Sequence, residues 1–383
     1  MRVKLGDIVE QIRGVSYNPS DLCESSEDGV ILLRANNIQN GEIVLDDVVY
    51  VSKEKIHDSQ YLKQGDILIC TSSGSKELVG KAAFINKDLR ATFGAFCKVV
   101  RPQKGYNNYI GHFFQSSYYR HTISAVSSGA NINNLRNEHI SDLEIPLPPL
   151  ETQRHIAAVL DKVSDLIAKR RQQLDKLDEL VKARFVEMFG DPVKSTRWRM
   201  RKLSQMGELN RGVSKHRPRN DPALLGGRYP LIQTGDVANA GLFISSFSST
   251  YSELGLKQSR MWQAGTLCIT IAANIAKTAI LSFDACFPDS IVGFIPSEEI
   301  SVVFIHYWFS FFQKILEEQA PQVAQKNINL QILSNLDVIV PPADLQNQFA
   351  AFVTQTEKTK AAVQQALEKL ETMKKALMQE YFG

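Results

Sequence analysis

The sequence predicts an α+β protein with a pseudo-two-fold internal repeat. Two mixed, β-rich globular domains are separated by two long helices that pair as an antiparallel coiled coil. Three observations predict this. Residues 149–190 align without a gap on residues 342–383, at an offset of 193, with fourteen of 42 pairs identical. Both copies run without proline or glycine, from 150 to 189 and from 343 to 382. Upstream of each copy, short apolar runs are broken by Gly, Ser, Asn and Asp, the pattern of strands and turns. A duplication this long points to two equivalent tasks or one two-fold-like partner.

The upstream segments repeat too, more loosely. Arg13-Gly14-Val15-Ser16 returns as Arg211-Gly212-Val213-Ser214, Gln64-Gly65-Asp66 through Cys70 resembles Ala264-Gly265-Thr266 through Thr270, and Asn131-Ile132-Asn133 returns as Asn327-Ile328-Asn329. Offsets drifting from about 193 to about 200 are what loop insertions between equivalent elements produce. In the first domain the runs 30–33, 67–69, 82–85 and 97–100 read as strands. Residues 109–122 and 302–318 read as helices. Their aromatics (Tyr109, Phe113 and Phe114; Phe304, Tyr307, Trp308 and Phe311) recur at helical spacing, which assigns them to cores rather than to base stacking.

Each repeated segment opens on a proline pair, Pro148-Pro149 or Pro341-Pro342, which enforces an extended lead-in before the helix. In the first copy Leu160, Val163, Ile167, Arg170, Leu174, Leu177, Val181, Arg184 and Met188 alternate spacings of three and four, a coiled-coil seam with two arginines as faults. The matching positions of the second copy are Val353, Thr356, Lys360, Val363, Leu367, Leu370, Lys374, Leu377 and Tyr381, a poorer seam in its first half. About 38 helical residues would reach about 57 Å. That exceeds the roughly 34 Å of one turn of duplex DNA.

The chain holds 383 residues, 44% hydrophobic and 22% charged, which fits two or three domains with their own cores. No apolar run approaches the roughly 20 residues of a membrane span, and the opening Met-Arg-Val-Lys-Leu-Gly-Asp is no signal peptide. The five cysteines lack CxxC spacing and read as buried thiols of a cytoplasmic protein. Net charge is only +3, yet residues 194–219 carry nine basic side chains against the single acid Glu208, a concentration suited to phosphate. No catalytic or metal-binding constellation stands out. Five residues separate Gly74 from Gly80-Lys81, where a phosphate loop needs four, and Ala82 takes the place of its Ser or Thr. The seven histidines form no HxH or HExxH spacing.

The stretch Ile145-Pro-Leu-Pro-Pro-Leu-Glu-Thr-Gln153, followed by a long helix ending Phe189-Gly190-Asp191, resembles the specificity subunit of type I restriction–modification systems. In that family such a lead-in opens a helix after each target-recognition domain. The segments 129–133 and 327–329 resemble the glycine/asparagine stretch preceding it. The second lead-in departs from the pattern with Ala343 where leucine is usual. The resemblance implies target-recognition domains at 1–147 and 191–340, a central helix at 148–190 and a C-terminal helix at 341–383. It implies a non-catalytic subunit that reads a bipartite, asymmetric target in double-stranded DNA. Its partners would be two methyltransferase (modification) subunits, which carry the S-adenosylmethionine, and motor-nuclease (restriction) subunits. Neither a cofactor nor a membrane is expected for this chain.

Base reading needs paired donors and acceptors in the major groove. The candidates in the first domain are Arg34, Asn36 and Asn37 after the first apolar run, and Ser72, Ser73, Ser75 and Lys76 after the second. In the second domain they are Gln233, Thr234 and Asp236, then Asn274 and Lys277, with Lys215, Arg217 and Arg219 as candidates for phosphate. Three other readings are open to the sequence: a specificity subunit of a restriction–modification enzyme outside type I, an enzyme in its own right, or a coiled-coil adaptor unrelated to DNA.

Overall fold

The computed structural model describes residues 1–75, 77–103, 107–128, 134–192, 194, 196–216, 218–311 and 328–383. The chain divides into two compact units. One comprises Met1–Arg171 with Gln365–Gly383, the other Gln172–Gln364, so the division falls inside both long helices.

In the first unit an antiparallel sheet runs Val9–Arg13, Cys97–Pro102, Ile67–Cys70, Ala82–Phe84. A second sheet runs Ala91–Phe93, Gly29–Leu33, Val49–Ser52, Leu22–Cys23, its first two strands parallel. These strands contain the predicted runs 30–33, 67–69 and 97–100 in full, and the run 82–85 as far as Phe84. Three short helices follow: α1 (Asn107–Phe113), α2 (Ser117–Ser128) and α3 (Asn137–Ser141). The single helix expected over 109–122 is therefore two. The break comes where the Ser116 hydroxyl accepts the Tyr119 N–H at 3.1 Å and starts a new helix. The Arg2–Lys4 strand pairs with Glu144–Pro146 and returns the chain to the long helix α4 (Leu150–Phe189).

The second unit repeats this plan. One sheet runs Gly207–Arg211, Ile291–Pro296, Leu267–Thr270, Thr278–Leu281, Phe243–Ile244. The other runs Ser249–Tyr251, Leu225–Leu231, Ala285–Cys286, Met261–Trp262, again with a parallel pair, Leu231 with Cys286. Its helices are α5 (Thr234–Asn239), α6 (Glu253–Lys257), α7 (Val302–Phe309), α8 (Leu330–Ser334) and the long α9 (Ala343–Phe382). The helix expected over 302–318 is described as α7. Residues 312–327 lie outside the described residues, as do 129–133 of the glycine/asparagine stretch. Registers repeat as well: Lys98 sits between Arg13 and Ile69 as Val292 sits between Arg211 and Ile269. The recurrent glycine of Arg-Gly-Val-Ser has a steric cause. A Cβ at Gly14 would lie 2.2 Å from the Gly94 carbonyl oxygen, and one at Gly212 would lie 2.3 Å from that of Pro288.

Within the first unit α4 and α9 run antiparallel. Ile156 and Leu160 share a core with Met378 and Phe382, while Arg171 meets Glu371 at 2.7 Å. Within the second unit Val181, Phe185 and Phe189 share a core with Phe349 and Val353, while Asp178 meets Lys360 at 2.7 Å. Of the seam side chains, Leu160, Val163, Ile167, Val181, Val363 and Leu367 are buried, and Leu174, Leu177, Leu370 and Leu377 are half-buried. At the helix C-termini the most buried positions move one residue along. Phe185 and Phe189 are buried rather than Arg184 and Met188, and Met378 and Phe382 rather than Leu377 and Tyr381. The cause is that these ends pack against a globular domain as well as against a helix, so the buried stripe is wider than a coiled-coil seam. Arg184 escapes burial by pairing with Glu187 at 2.8 Å and lying over the Phe352 ring.

The repeated glutamine of the lead-in is now explicable. Gln153 donates its side-chain N–H to the Pro148 carbonyl at 2.7 Å, and Gln346 donates to the Pro341 carbonyl at 2.8 Å. Each amide reaches back from the first turn and pins the extended proline pair against the helix. Gln346 also accepts the Ser301 N–H at 2.9 Å, which ties α9 to the start of α7.

Candidate nucleic-acid interface

In the first unit the two predicted loops face each other. They line a cleft of about 590 Å³ that includes Arg34, Asn36, Ser72, Ser73, Ser16, Tyr17 and Phe96. The first loop is a short 3-10 turn (Ala35–Asn37) at the end of the Gly29–Leu33 strand. Its fold explains which side chains remain available. Asn37 is only 2% exposed; its carbonyl accepts the Arg34 N–H at 2.8 Å and its amide donates to the Val44 and Asp47 carbonyls. Asn37 is thereby corrected from a base-reading candidate to the brace of the turn. Asn36 is exposed and donates to the Asp47 carboxylate at 2.7 Å. Arg34 pairs with the same carboxylate at 3.2 Å, and its Nε is buried without a hydrogen-bond partner. Asp47 therefore holds both donors at the mouth of the cleft.

The second loop leaves the Ile67–Cys70 strand. The Ser73 hydroxyl accepts the Ser75 N–H at 3.2 Å, Ser75 is exposed, and Lys76 lies outside the described residues. The chain then enters the Ala82–Phe84 strand rather than a helix, so this loop is not built as a phosphate loop.

The second unit has a smaller cleft, about 260 Å³, in the corresponding place. It is lined by Ser214, Arg219, Leu231, Gln233, Thr234, Tyr251, Ala272, Ala273, Pro288 and Ser290. The turn is built as in the first unit, with the Gln233 N–H donating to the Asp236 carboxylate at 2.7 Å. Half-buried Asp236 also accepts from the Ser248 hydroxyl at 3.2 Å and braces the turn. Gln233 is exposed and Thr234 half-buried. Asn274 and Lys277 belong to an exposed loop in which Ala273, Asn274 and Ala276 all have positive φ, at 45°, 47° and 59°. Such backbone is costly for residues with a Cβ. Thr270 holds it, its hydroxyl donating to the Asn274 carbonyl at 2.5 Å and accepting the Lys277 N–H at 3.0 Å.

The basic cluster separates in the fold. Arg199–Lys202 forms a strand on Asp337–Val340, with Lys202 paired to Asp337 at 2.8 Å. Arg211 and Arg219 are drawn to Asp289 instead: Arg211 donates to its carbonyl at 2.6 Å and Arg219 pairs with its carboxylate. Lys215 is exposed, and Arg217 lies outside the described residues. Arg219 and Lys215 therefore lie on the segment that borders the second cleft. Tyr17 and Phe96 were not singled out by sequence reasoning. Tyr17 follows directly on the recurrent Arg-Gly-Val-Ser, which is the signal that could have found it; Phe96 is distant in the chain and joins it only because that segment packs on the Gly94 turn.

Among the described residues no group of three or more His, Cys, Asp or Glu could hold a metal, and no helix is long and apolar enough to cross a membrane. The five cysteines are unbridged, and burial pushes the Cys97 thiol up to about 12.

The family model for the type I restriction modification DNA specificity domain matches residues 1–179 and 196–372. Over 173 residues, 45% of this chain, it is 40% identical to the type I restriction enzyme EcoKI specificity subunit of Escherichia coli K12 and to the StySPI specificity subunit of Salmonella potsdam. The matched stretch spans 37% of each of those relatives. A putative type I restriction enzyme MjaX specificity subunit of Methanocaldococcus jannaschii is 24% identical over 98% of this chain and 91% of its own. Among solved structures, a chain from a study of complex assembly and conformational transition in the type I R-M system shares the fold at TM-score 0.56 and 17% identity. That match covers 100% of this chain and 97% of the other. The S subunit from M. genitalium matches at TM-score 0.54 and 14% identity, over 100% of this chain and 96% of its own. With its two recognition-type folds and paired long helices, the chain belongs to the type I restriction–modification DNA specificity family.

Proposed function

We propose that this chain is the non-catalytic specificity subunit of a type I restriction–modification assembly and that each cleft reads one half of a bipartite, asymmetric DNA target. The observation that carries this reading is a repeated frame with unlike linings. The same strand-end turn, braced by Asn37 in one unit and Asp236 in the other, presents Arg34 and Asn36 in the first cleft but Gln233 and Thr234 in the second. Arg suits guanine, and Asn or Gln suits adenine. Two frames with different side chains would read two different half-sites. Lys215 and Arg219 would contribute to positioning on the phosphate backbone.

The two long helices would offer matched surfaces to two modification subunits, which bring S-adenosylmethionine and the methylating site, and the assembly would engage motor-nuclease subunits. The uninterrupted helices would fix the gap between half-sites. Inserting four residues near Leu174 would then lengthen that gap or abolish partner docking. Methylation-sensitive sequencing of the host with and without the gene tests the proposal. Loss of one bipartite methylation motif is expected, and an unchanged methylome with the partner genes expressed would overturn it.

A further inference from the structure

Phe96 is the most exposed phenylalanine among the described residues, at 71%, and its backbone is held rather than loose. Its carbonyl accepts three hydrogen bonds: from the Thr71 N–H at 2.9 Å, the Ser72 N–H at 3.1 Å and the Thr71 hydroxyl at 3.1 Å. One residue on, the Cys97 N–H closes the turn on the Gly94 carbonyl at 2.8 Å. A ring left in water on a pinned backbone forgoes burial that a looser loop would recover by folding the ring down. Its surroundings indicate what covers it. Phe96 lines the same cleft as Arg34, Asn36, Ser72 and Ser73, so whatever engages those donors meets the ring. In the second unit the same backbone position is Ser290, whose carbonyl accepts the Ile271 N–H at 3.0 Å, and the one aromatic residue among the described lining of that cleft, Tyr251, is buried.

Resting on the DNA-reading role proposed above, we propose that Phe96 is a specificity-determining residue of the first half-site, making an apolar contact to the 5-methyl group of a thymine in the major groove, while the second cleft reads its half-site without this contact. The chemistry is specific: thymine alone presents a methyl group in that groove, and a phenyl ring can cover it without competing with the neighbouring donors for acceptors.

The test uses the full chain assembled with its modification subunits and duplex libraries randomised across each half-site. Phe96→Ala should lower the preference for thymine at one position of the first half-site by about tenfold, in the range of a single base contact. Selectivity in the second half-site should be retained. Phe96→Leu should keep part of the preference. Replacing that thymine by uracil should weaken methylation by the natural chain and leave Phe96→Ala unaffected. Unchanged selectivity of Phe96→Ala at every position would overturn the proposal. So would failure of that variant to assemble with its subunits while it still folds, because the ring would then be a protein contact. If the natural complex shows no bipartite selectivity at all, the DNA-reading role itself fails, and this proposal with it.

Discussion

Replacing Gln346 by Leu should destabilise the second unit more than replacing Gln153 by Leu destabilises the first. Leucine keeps most of the side-chain volume and removes the amide, so the loss is chiefly of hydrogen bonds. Gln346, 1% exposed, serves two backbone groups, the Pro341 carbonyl at 2.8 Å and the Ser301 N–H at 2.9 Å. Gln153 makes the equivalent bond to the Pro148 carbonyl at 2.7 Å. A backbone group stranded in a protein interior costs about 1–3 kcal/mol. The expected losses are therefore about 3 kcal/mol for Gln346→Leu and about 1.5 kcal/mol for Gln153→Leu. With a urea slope of about 2 kcal/mol/M, the first corresponds to a midpoint shift of about 1.5 M. The assay is selective by composition. All three tryptophans, Trp198, Trp262 and Trp308, belong to the second unit, so their emission follows its unfolding while far-UV dichroism follows both units. A Gln346→Leu midpoint matching that of the natural chain would refute the bridging role, and equal shifts for the two variants would refute the asymmetry.

Other substitutions separate bracing from reading. Asn37→Ala should cost about 2 kcal/mol in urea unfolding, because one buried amide serves three backbone groups, whereas Asn36→Ala should leave stability within about 0.5 kcal/mol and alter half-site selectivity in methylation assays. Phe185 is fully buried and lies within 5.5 Å, centroid to centroid, of the Phe189, Phe304, Phe311 and Phe349 rings. Phe185→Ala should therefore lower the stability read by tryptophan emission by about 3–5 kcal/mol. Burial first, and the Lys360 charge second, push the His306 pKa down to about 4 from its ordinary 6.5. The unfolded chain then binds a proton that the folded unit refuses. Stability from this source is complete above about pH 6.5 and declines as pH falls towards about 4. The ring keeps an accessible edge, so the loss should reach about 2 kcal/mol rather than the full linkage value, and His306→Gln should flatten the slope in pH-dependent tryptophan unfolding curves.

The sequence alone determined the features that depend on local chemistry and on period. The proline pairs and the absence of helix breakers over 150–189 and 343–382 set the two long helices, and the apolar runs set the strands of the first sheets. Tertiary structure decided what depends on residues distant in the chain. Parallel pairing of Ala91–Phe93 with Gly29–Leu33 brings Gly94–Phe96 beside Arg34, and no local pattern announces that neighbour. Asn36 and Asn37 are adjacent and chemically identical, yet one faces the cleft and the other braces the turn. The reason is that backbone direction at a strand end, not residue type, determines which amide meets unpaired carbonyls. For the same reason the seam spacing located the helix pairing, but only the packed domains showed Phe185, Phe189, Met378 and Phe382 turning into globular cores. Composition and spacing specify what an element is; which side chains remain available to a ligand follows from what the folded chain has already used.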